Sequence, residues 1–236
     1  MAITIVGTPQ TGFGNSGADA TVDLSGLSLT ENDVVIASSG SPKFTGNAPG
    51  IVTSGYTEID THTGTAGSRP TIGVWYKVMS ATPDDDVVVS GDTSTATDTT
   101  GVAIALRGVD TSTVEDQTNT TAGETISTNP NPASITTQTD NAWVLPFAVS
   151  ANNNDTTPGT ISGYSNHISI VGNDTLDHTH AAATFEVTTA AAEDPGAWSS
   201  WSSGSWYVIT VAIKPDVAAG TVVKDVVGVG VVPFAR

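Results

Sequence analysis

The 236-residue sequence has no cysteine, and only seven of its residues are lysine or arginine. The first absence removes disulfides, thiolate catalysis and cysteine-ligated zinc together. The second stands against 24 aspartates and glutamates and leaves a formal charge of -17. Such a surface repels phosphate, so nucleic acid is excluded as a partner. Nor is there any run approaching the ~20 apolar residues of a membrane helix, and no membrane partner is expected. Met1-Ala-Ile-Thr-Ile-Val-Gly carries neither a basic nor an apolar signal region, which predicts synthesis in the cytoplasm without a secretory signal peptide. Heptads and fixed-period repeats are missing too, which excludes a coiled fibre shaft, a propeller and a solenoid.

The chain is instead built of Thr, Ser, Gly, Val and Ala. Hydrophobic residues make up 38%, charged residues 13%, and there are 24 glycines and 12 prolines. That is apolar enough for a core and rich enough in turn formers for many strands. Period-two alternation and β-branched enrichment predict strands at Ile3–Val6, Thr21–Leu24, Val34–Ser38, Tyr56–Thr61, Thr71–Ser80 and Val87–Ser90. The same signal recurs at Val102–Leu106, Ala142–Val149, His167–Val171, Ala182–Val187 and Trp206–Ile213. The best helical candidate, Glu193 to Trp201, is cut to about one turn by Pro195 and Gly196. Long polar loops are expected at Thr8–Ala20, Gly40–Ser54, Gly91–Thr99, Asp110–Pro132 and Asn152–Gly163. The expected fold is all-β: one antiparallel, jelly-roll-like β-sandwich over residues 1–215, since all-β domains often run to roughly 200–250 residues.

Residues 216–236 differ from the rest. Gly220 to Arg236 is apolar and β-branched yet broken by glycines, and such a segment aggregates unless it is paired. It reads either as one more strand of the sandwich or as an arm that adds to another subunit through main-chain hydrogen bonds. On the second reading the attachment residues are Val222, Val223, Val226, Val227, Val229, Val231, Val232 and Phe234, with Ile3 and Ile5 of the N-terminal strand.

Few constellations suggest chemistry. His178 and His180 alternate in Asp177-His-Thr-His, so on a strand both rings share a face. Two such rings can begin a metal site, but His62 and His167 are isolated and no zinc motif completes the set; exposed strand or loop histidines are the leading reading. Asp84-Asp85-Asp86 and Asn152-Asn-Asn-Asp155 read as turns ahead of calcium loops, because EF-hand spacing is absent. There is no Gly-x-Ser-x-Gly elbow, and Glu115 and Glu124 sit in polar loops rather than as a facing pair. No catalytic residue, metal ligand or cofactor is therefore expected. Trp198, Trp201 and Tyr164 are candidates for a glycan-stacking platform, set against the leading reading of Trp198 and Trp201 as a plug of the sandwich end.

Three stretches together carry a resemblance: Thr100-Gly-Val-Ala-Ile-Ala-Leu-Arg-Gly-Val-Asp110, Ile135-Thr-Thr-Gln-Thr-Asp-Asn-Ala-Trp-Val-Leu145 and Trp206-Tyr-Val-Ile-Thr-Val-Ala-Ile-Lys-Pro215. Their order, over Thr71 to Pro215, resembles the β-sandwich structural proteins of tailed bacteriophages. The resemblance implies a non-enzymatic virion protein, often trimeric, that binds the particle by one end and exposes loops at the other. Its expected place is the outer surface of the capsid and its expected partner the major capsid protein. A carbohydrate-binding or host-adhesion module is the alternative.

Overall fold

The structure, a computed structural model, describes residues 1–42, 48–64, 69–91, 97–127, 129–151, 157–172, 178–201 and 204–216, with the backbone alone for 124–127. The attachment residues proposed in Val222–Phe234 lie outside the described residues, as does Asn152–Asp155. The strands are β1 (Thr4–Ile5), β2 (Gln10–Gly14), β3 (Ala20–Asp23), β4 (Val34–Ser41), β5 (Gly50–Ile51), β6 (Thr57–His62), β7 (Thr71–Val78) and β8 (Asp86–Ser90). They continue as β9 (Thr99–Arg107), β10 (Glu115–Ser127), β11 (Ile135–Thr136), β12 (Ala142–Ala151), β13 (Ser165–Val171), β14 (His178–Val187), β15 (Ala192–Glu193) and β16 (Gly204–Ile213). No helix occurs among the described residues.

All pairings are antiparallel. One sheet runs β5-β8-β3-β2-β9-β4-β7-β6, with β1 beside β2 on the same flank of β9; the other runs β10-β16-β12-β14-β13. β11 and β15 form a separate ribbon. The two sheets face each other across a core in which Ile36, Ile72, Val74 and Ile104 meet Leu145, Phe147, Ile209 and Val211. The fold is an all-β antiparallel sandwich.

Both sheets also bury their outer faces. The large sheet curls so that Ala20, Val22, Val87 and Val89 of β3 and β8 pack on Val35, Ala37, Ala103 and Ala105 of β4 and β9. The smaller sheet carries a cover of Ile135, Ile161, Tyr164, Trp198 and Trp201 over Val144, Ala148, Ala181 and Val208. This explains why β4, β12 and β14 read as near-continuous runs without alternation: strands covered on two sides have no solvent face. β3, covered on one side, alternates buried and exposed along Ala20–Asp23.

All eleven predicted strands are present. The expected loops need correction: β2 lies inside Thr8–Ala20, β5 inside Gly40–Ser54, and the 13-residue β10 inside Asp110–Pro132. β10 is rich in Thr, a β-branched residue that suits a half-solvated strand as well as a loop. Pro146 is tolerated in the middle of the small sheet because the β12–β14 pairing is interrupted at Leu145 and Pro146, where the proline has no N–H to give.

The long flanking strands β6, β10 and β13 each pair with a shifted register, whereas β4 pairs with β7 and β9, and β12 with β16, without a shift. Bulges at sheet edges twist the free backbone away from a would-be partner strand.

Ile3 corrects its assignment as an attachment residue. It is 3% exposed and part of the central core, with Ile5 packed beside it. β1 is a sheet strand that spends its apolar side chains inward.

Phe147 sits at the centre of that core, fully buried. Phe147→Ala is expected to cost about 3–5 kcal/mol of unfolding free energy, read as a lowered denaturant midpoint with the m-value unchanged.

Candidate functional site: a polar layer at one end of the sandwich

The strands change composition together toward one end. β4 passes from Val34-Val-Ile-Ala37 to Ser38-Ser-Gly-Ser41, and β9 begins Thr99-Thr-Gly101 before turning apolar at Val102. β12 ends in Ser150-Ala151, and β14 starts His178-Thr-His180 before Ala181-Ala-Ala183. The register places these polar ends side by side: Ser38 opposite Val102, Gly40 opposite Thr100, Ser150 opposite Thr179 and Ala151 opposite His178. Ser38, Ser39, Ser41, Thr99, Thr100, Ser150, His178, Thr179 and His180 are all buried. The apolar core is thus capped by a buried layer of hydroxyls and imidazoles, and the connections β2–β3, β4–β5, β6–β7, β8–β9, β12–β13 and β13–β14 all leave from this end.

His178 and His180 share a face, as their alternation predicts, but the expectation that they are exposed is overturned. Both are completely buried and point from β14 across the inter-sheet space at β4 and β9. His178 Nε2 lies 2.8 Å and His180 Nδ1 3.2 Å from the single hydroxyl of Thr100, and His180 Nε2 lies 2.9 Å from Ser38 Oγ.

Counting protons assigns the network. The Thr100 hydroxyl donates to Gly40 O at 3.2 Å, so its oxygen accepts from both rings. His178 then carries its proton on Nε2 and His180 on Nδ1, leaving His180 Nε2 to accept from Ser38. One proton per ring satisfies every one of these contacts, and only the Nδ1 lone pair of His178 is left without a partner. Burial pushes both imidazoles down to about 3, with the neighbouring His178 ring adding to the effect at His180; hydrogen bonds to the Gly40 and Thr100 backbone oppose it. Both rings are neutral at pH 7.

Backbone without side chains makes room for them. A Cβ on Gly40 would fall 3.0 Å from His180 Nδ1 and 2.6 Å from Val149 Cγ2, and one on Gly172 would fall 2.3 Å from His178 Nδ1. Asp98, buried just before β9, faces the same corner: its Oδ2 lies 3.3 Å from that Gly172 position, and its Oδ1 accepts from Ser16 N–H at 3.4 Å.

The remaining sequence candidates take structural places. Trp198 and Trp201 are 1% and 5% exposed and pack edge to face at 5.5 Å. Trp201 donates from Nε1 to Ser150 Oγ at 2.7 Å, and Tyr164 stacks on Phe185 while its hydroxyl donates to Glu193. All three cover the outer face of the small sheet, so the glycan-platform assignment is corrected: none presents a ring to solvent. Asp84 is paired with Lys77 at 2.7 Å, the Asp85 carbonyl accepts from Leu24 N–H, and Asp86 opens β8. No group of three or more imidazoles and carboxylates converges as a metal site among the described residues. His62, half-buried, stacks flat on Tyr207 at 3.5 Å and ties β6 to β16. His167 Nε2 accepts from Ile161 N–H at 3.0 Å.

At the opposite end the Met1 amine donates to Asp216 O, and a crevice runs between Glu31, Asp33, Arg107, Asp110 and Asp216. Arg107 grips Asp33 with two hydrogen bonds of 2.8 and 2.7 Å. Burial raises the Asp33 carboxyl, but this grip and the Thr30 hydrogen bonds outweigh it and leave it lowered. Asp110 is held well below the carboxylate range by Ser112 and then Lys214.

Comparisons with known protein families, curated proteins and solved structures find no match.

Two substitutions probe this site. Ser38→Ala removes the donor to His180 Nε2 and is expected to cost about 1–3 kcal/mol in denaturation. Trp201→Ala is expected to cost about 3–5 kcal/mol, whereas a solvent-facing platform residue would leave stability unchanged.

Proposed function

We propose that this protein is a non-enzymatic structural component of a tailed-bacteriophage virion, a decoration protein that binds the outside of the head and stabilises the shell by bridging coat subunits. The observation that carries this reading is the polarity of the sandwich. Residue 1 and Asp216 meet at one end, beside the Arg107–Asp33 crevice, and most of the long strand connections leave from the other. The sequence that follows Asp216 is the apolar segment running to Arg236. A molecule held by the first end presents the second to solvent.

Charge supports the same reading. Of the four described basic side chains, Lys77, Arg107 and Lys214 are each paired with an aspartate. The surface is therefore acidic, which suits a basic or neutral protein lattice and keeps free copies apart. A ligand that binds only the assembled shell stabilises it by mass action. The resemblance in the strand pattern favours a trimer and the major capsid protein as partner. With Trp198, Trp201 and Tyr164 buried, no observation favours the adhesion-module alternative.

Density-gradient copurification with intact particles, followed by imaging, tests the proposal. Regular density over the shell is the expected result; density confined to the tail, or none, overturns it. Deleting residues 217–236 is expected to preserve the denaturation midpoint and abolish shell binding. Full binding by the truncated protein would show that the segment plays no part in attachment.

A further inference from the structure

We infer that the His178–Thr100–His180–Ser38 chain is an acid-responsive latch between the two sheets: closed while both rings are neutral, it opens the loop end of the sandwich in acid and leaves the opposite end packed.

The argument rests on placement and on the proton count. The chain is a polar link across the inter-sheet space: β14 belongs to the small sheet, while Ser38 and Thr100 belong to the large one. One proton per ring is enough to complete every hydrogen bond in it. A second proton on His180 Nε2 would take away the acceptor of the Ser38 hydroxyl, which would have to turn and accept from the ring instead. A second proton on His178 would sit on Nδ1, which has no hydrogen-bond partner and faces Gly172. Either event places a charge where nothing is exposed to water, and a buried charge is costly unless it is paired.

The elements packed on the pair offer little to hold that charge. β4 presents Ser38 and Gly40, β12 presents Val149, and Gly172 follows β13. Among the described residues the one carboxylate facing the corner is Asp98, ahead of β9. Asp92, Asp174 and Asp177 of the adjoining connections lie outside the described residues. His178 Nδ1 lies on the Asp98 side of the corner, against Gly172. Moving toward Asp98 takes the ring off Thr100, which is the opening step.

The sign follows from linkage. Each ring is held below its ordinary value of 6.5 in the folded state, so its contribution to stability is complete above pH 6.5. It is lost progressively as pH falls from there toward about 3. Two rings raise the opening constant by up to about 100-fold per pH unit in that window. Asp23, Asp33 and Asp110, lowered from 3.8, act only at lower pH. Glu115 and Glu193 are raised mainly by burial and oppose the loss near their own values. His62 and His167, also lowered by burial, act in the same direction in the same window, so the test must separate them.

The experiment is an imidazole NMR titration of the full chain from pH 7.5 to 4, with His178→Gln and His180→Gln assigning the signals, run beside backbone hydrogen exchange at pH 7 and pH 5. The expected result at pH 7 is two neutral rings of opposite tautomer. Below pH 6 the amides of Ser38–Ser41, Thr99–Gly101 and His178–His180 should lose at least tenfold protection, while Ile209–Ile213 keep theirs. In the His178→Gln/His180→Gln double variant the fall in Tm between pH 6.5 and 4.5 should flatten, and in His62→Gln/His167→Gln the loop-end opening should persist. Rings that titrate near 6.5 with the sandwich closed overturn the inference, as does uniform loss of protection along all strands. If the double variant does not fold, the wild-type titration and exchange decide alone.

Discussion

The central strands of both sheets are covered on both faces, and on a strand with no solvent side a buried polar atom is costly unless another polar atom meets it. Most of the architecture answers to that constraint. It fixes Val34–Ala37 and Val102–Leu106 as unbroken apolar runs, places a tryptophan-bearing segment over the small sheet, and demands that the polar ends of β4, β9 and β14 be wired to one another. Thr100 satisfies the demand by serving two rings and a carbonyl with one hydroxyl. Pro146 meets it in the opposite way, by lying where the ladder is already open.

The two ends of the sandwich use different chemistry. At one, neutral hydroxyls and imidazoles are buried and linked across the two sheets; at the other, charges are matched ion for ion, as in Arg107 with the buried Asp33 and Lys214 with Asp110. Pairs that water reaches, as at Lys214 and Asp110, add little to stability. They do fix the direction of the chain around Val109 and Pro215, which bridge as the described chain closes. The scarcity of basic residues makes each of these pairs consequential for shape, because few cations remain to neutralise the acidic surface.

Much of this was legible in the sequence. Wherever a strand had to be filled with Val, Ile and Ala, its pattern announced it, and eleven strands follow from pattern alone. β10 escaped because its exposed positions include Gln117, Thr118 and Thr121, a vocabulary shared with loops; its pairing to β16 supplies what its composition does not. β5, β11 and β15, two residues each, exist only through their partners. The histidines show the limit most clearly. Alternation placed both on one face, but Asp177-His-Thr-His reads as surface, and only the Ala181-Ala-Ala183 that follows hints at an interior. Which face is inside depends on β4 and β9, more than 75 positions away in sequence for Thr100 and more than 140 for Ser38. The tryptophans mislead for a related reason: Trp198 and Trp201 lie among small polar residues because the segment has an outer side, while their rings belong to the inner one.

The shifted registers of β6, β10 and β13 carry a consequence for crowding. Copies of a flat-edged β-protein held shoulder to shoulder tend to zip their margins into a continuous ribbon, and the array then stiffens or precipitates as one body. Here the margins are warped, so adjacent molecules on a dense support would remain separate posts. Contacts between copies would then have to come from other surfaces, and their spacing from what lies underneath.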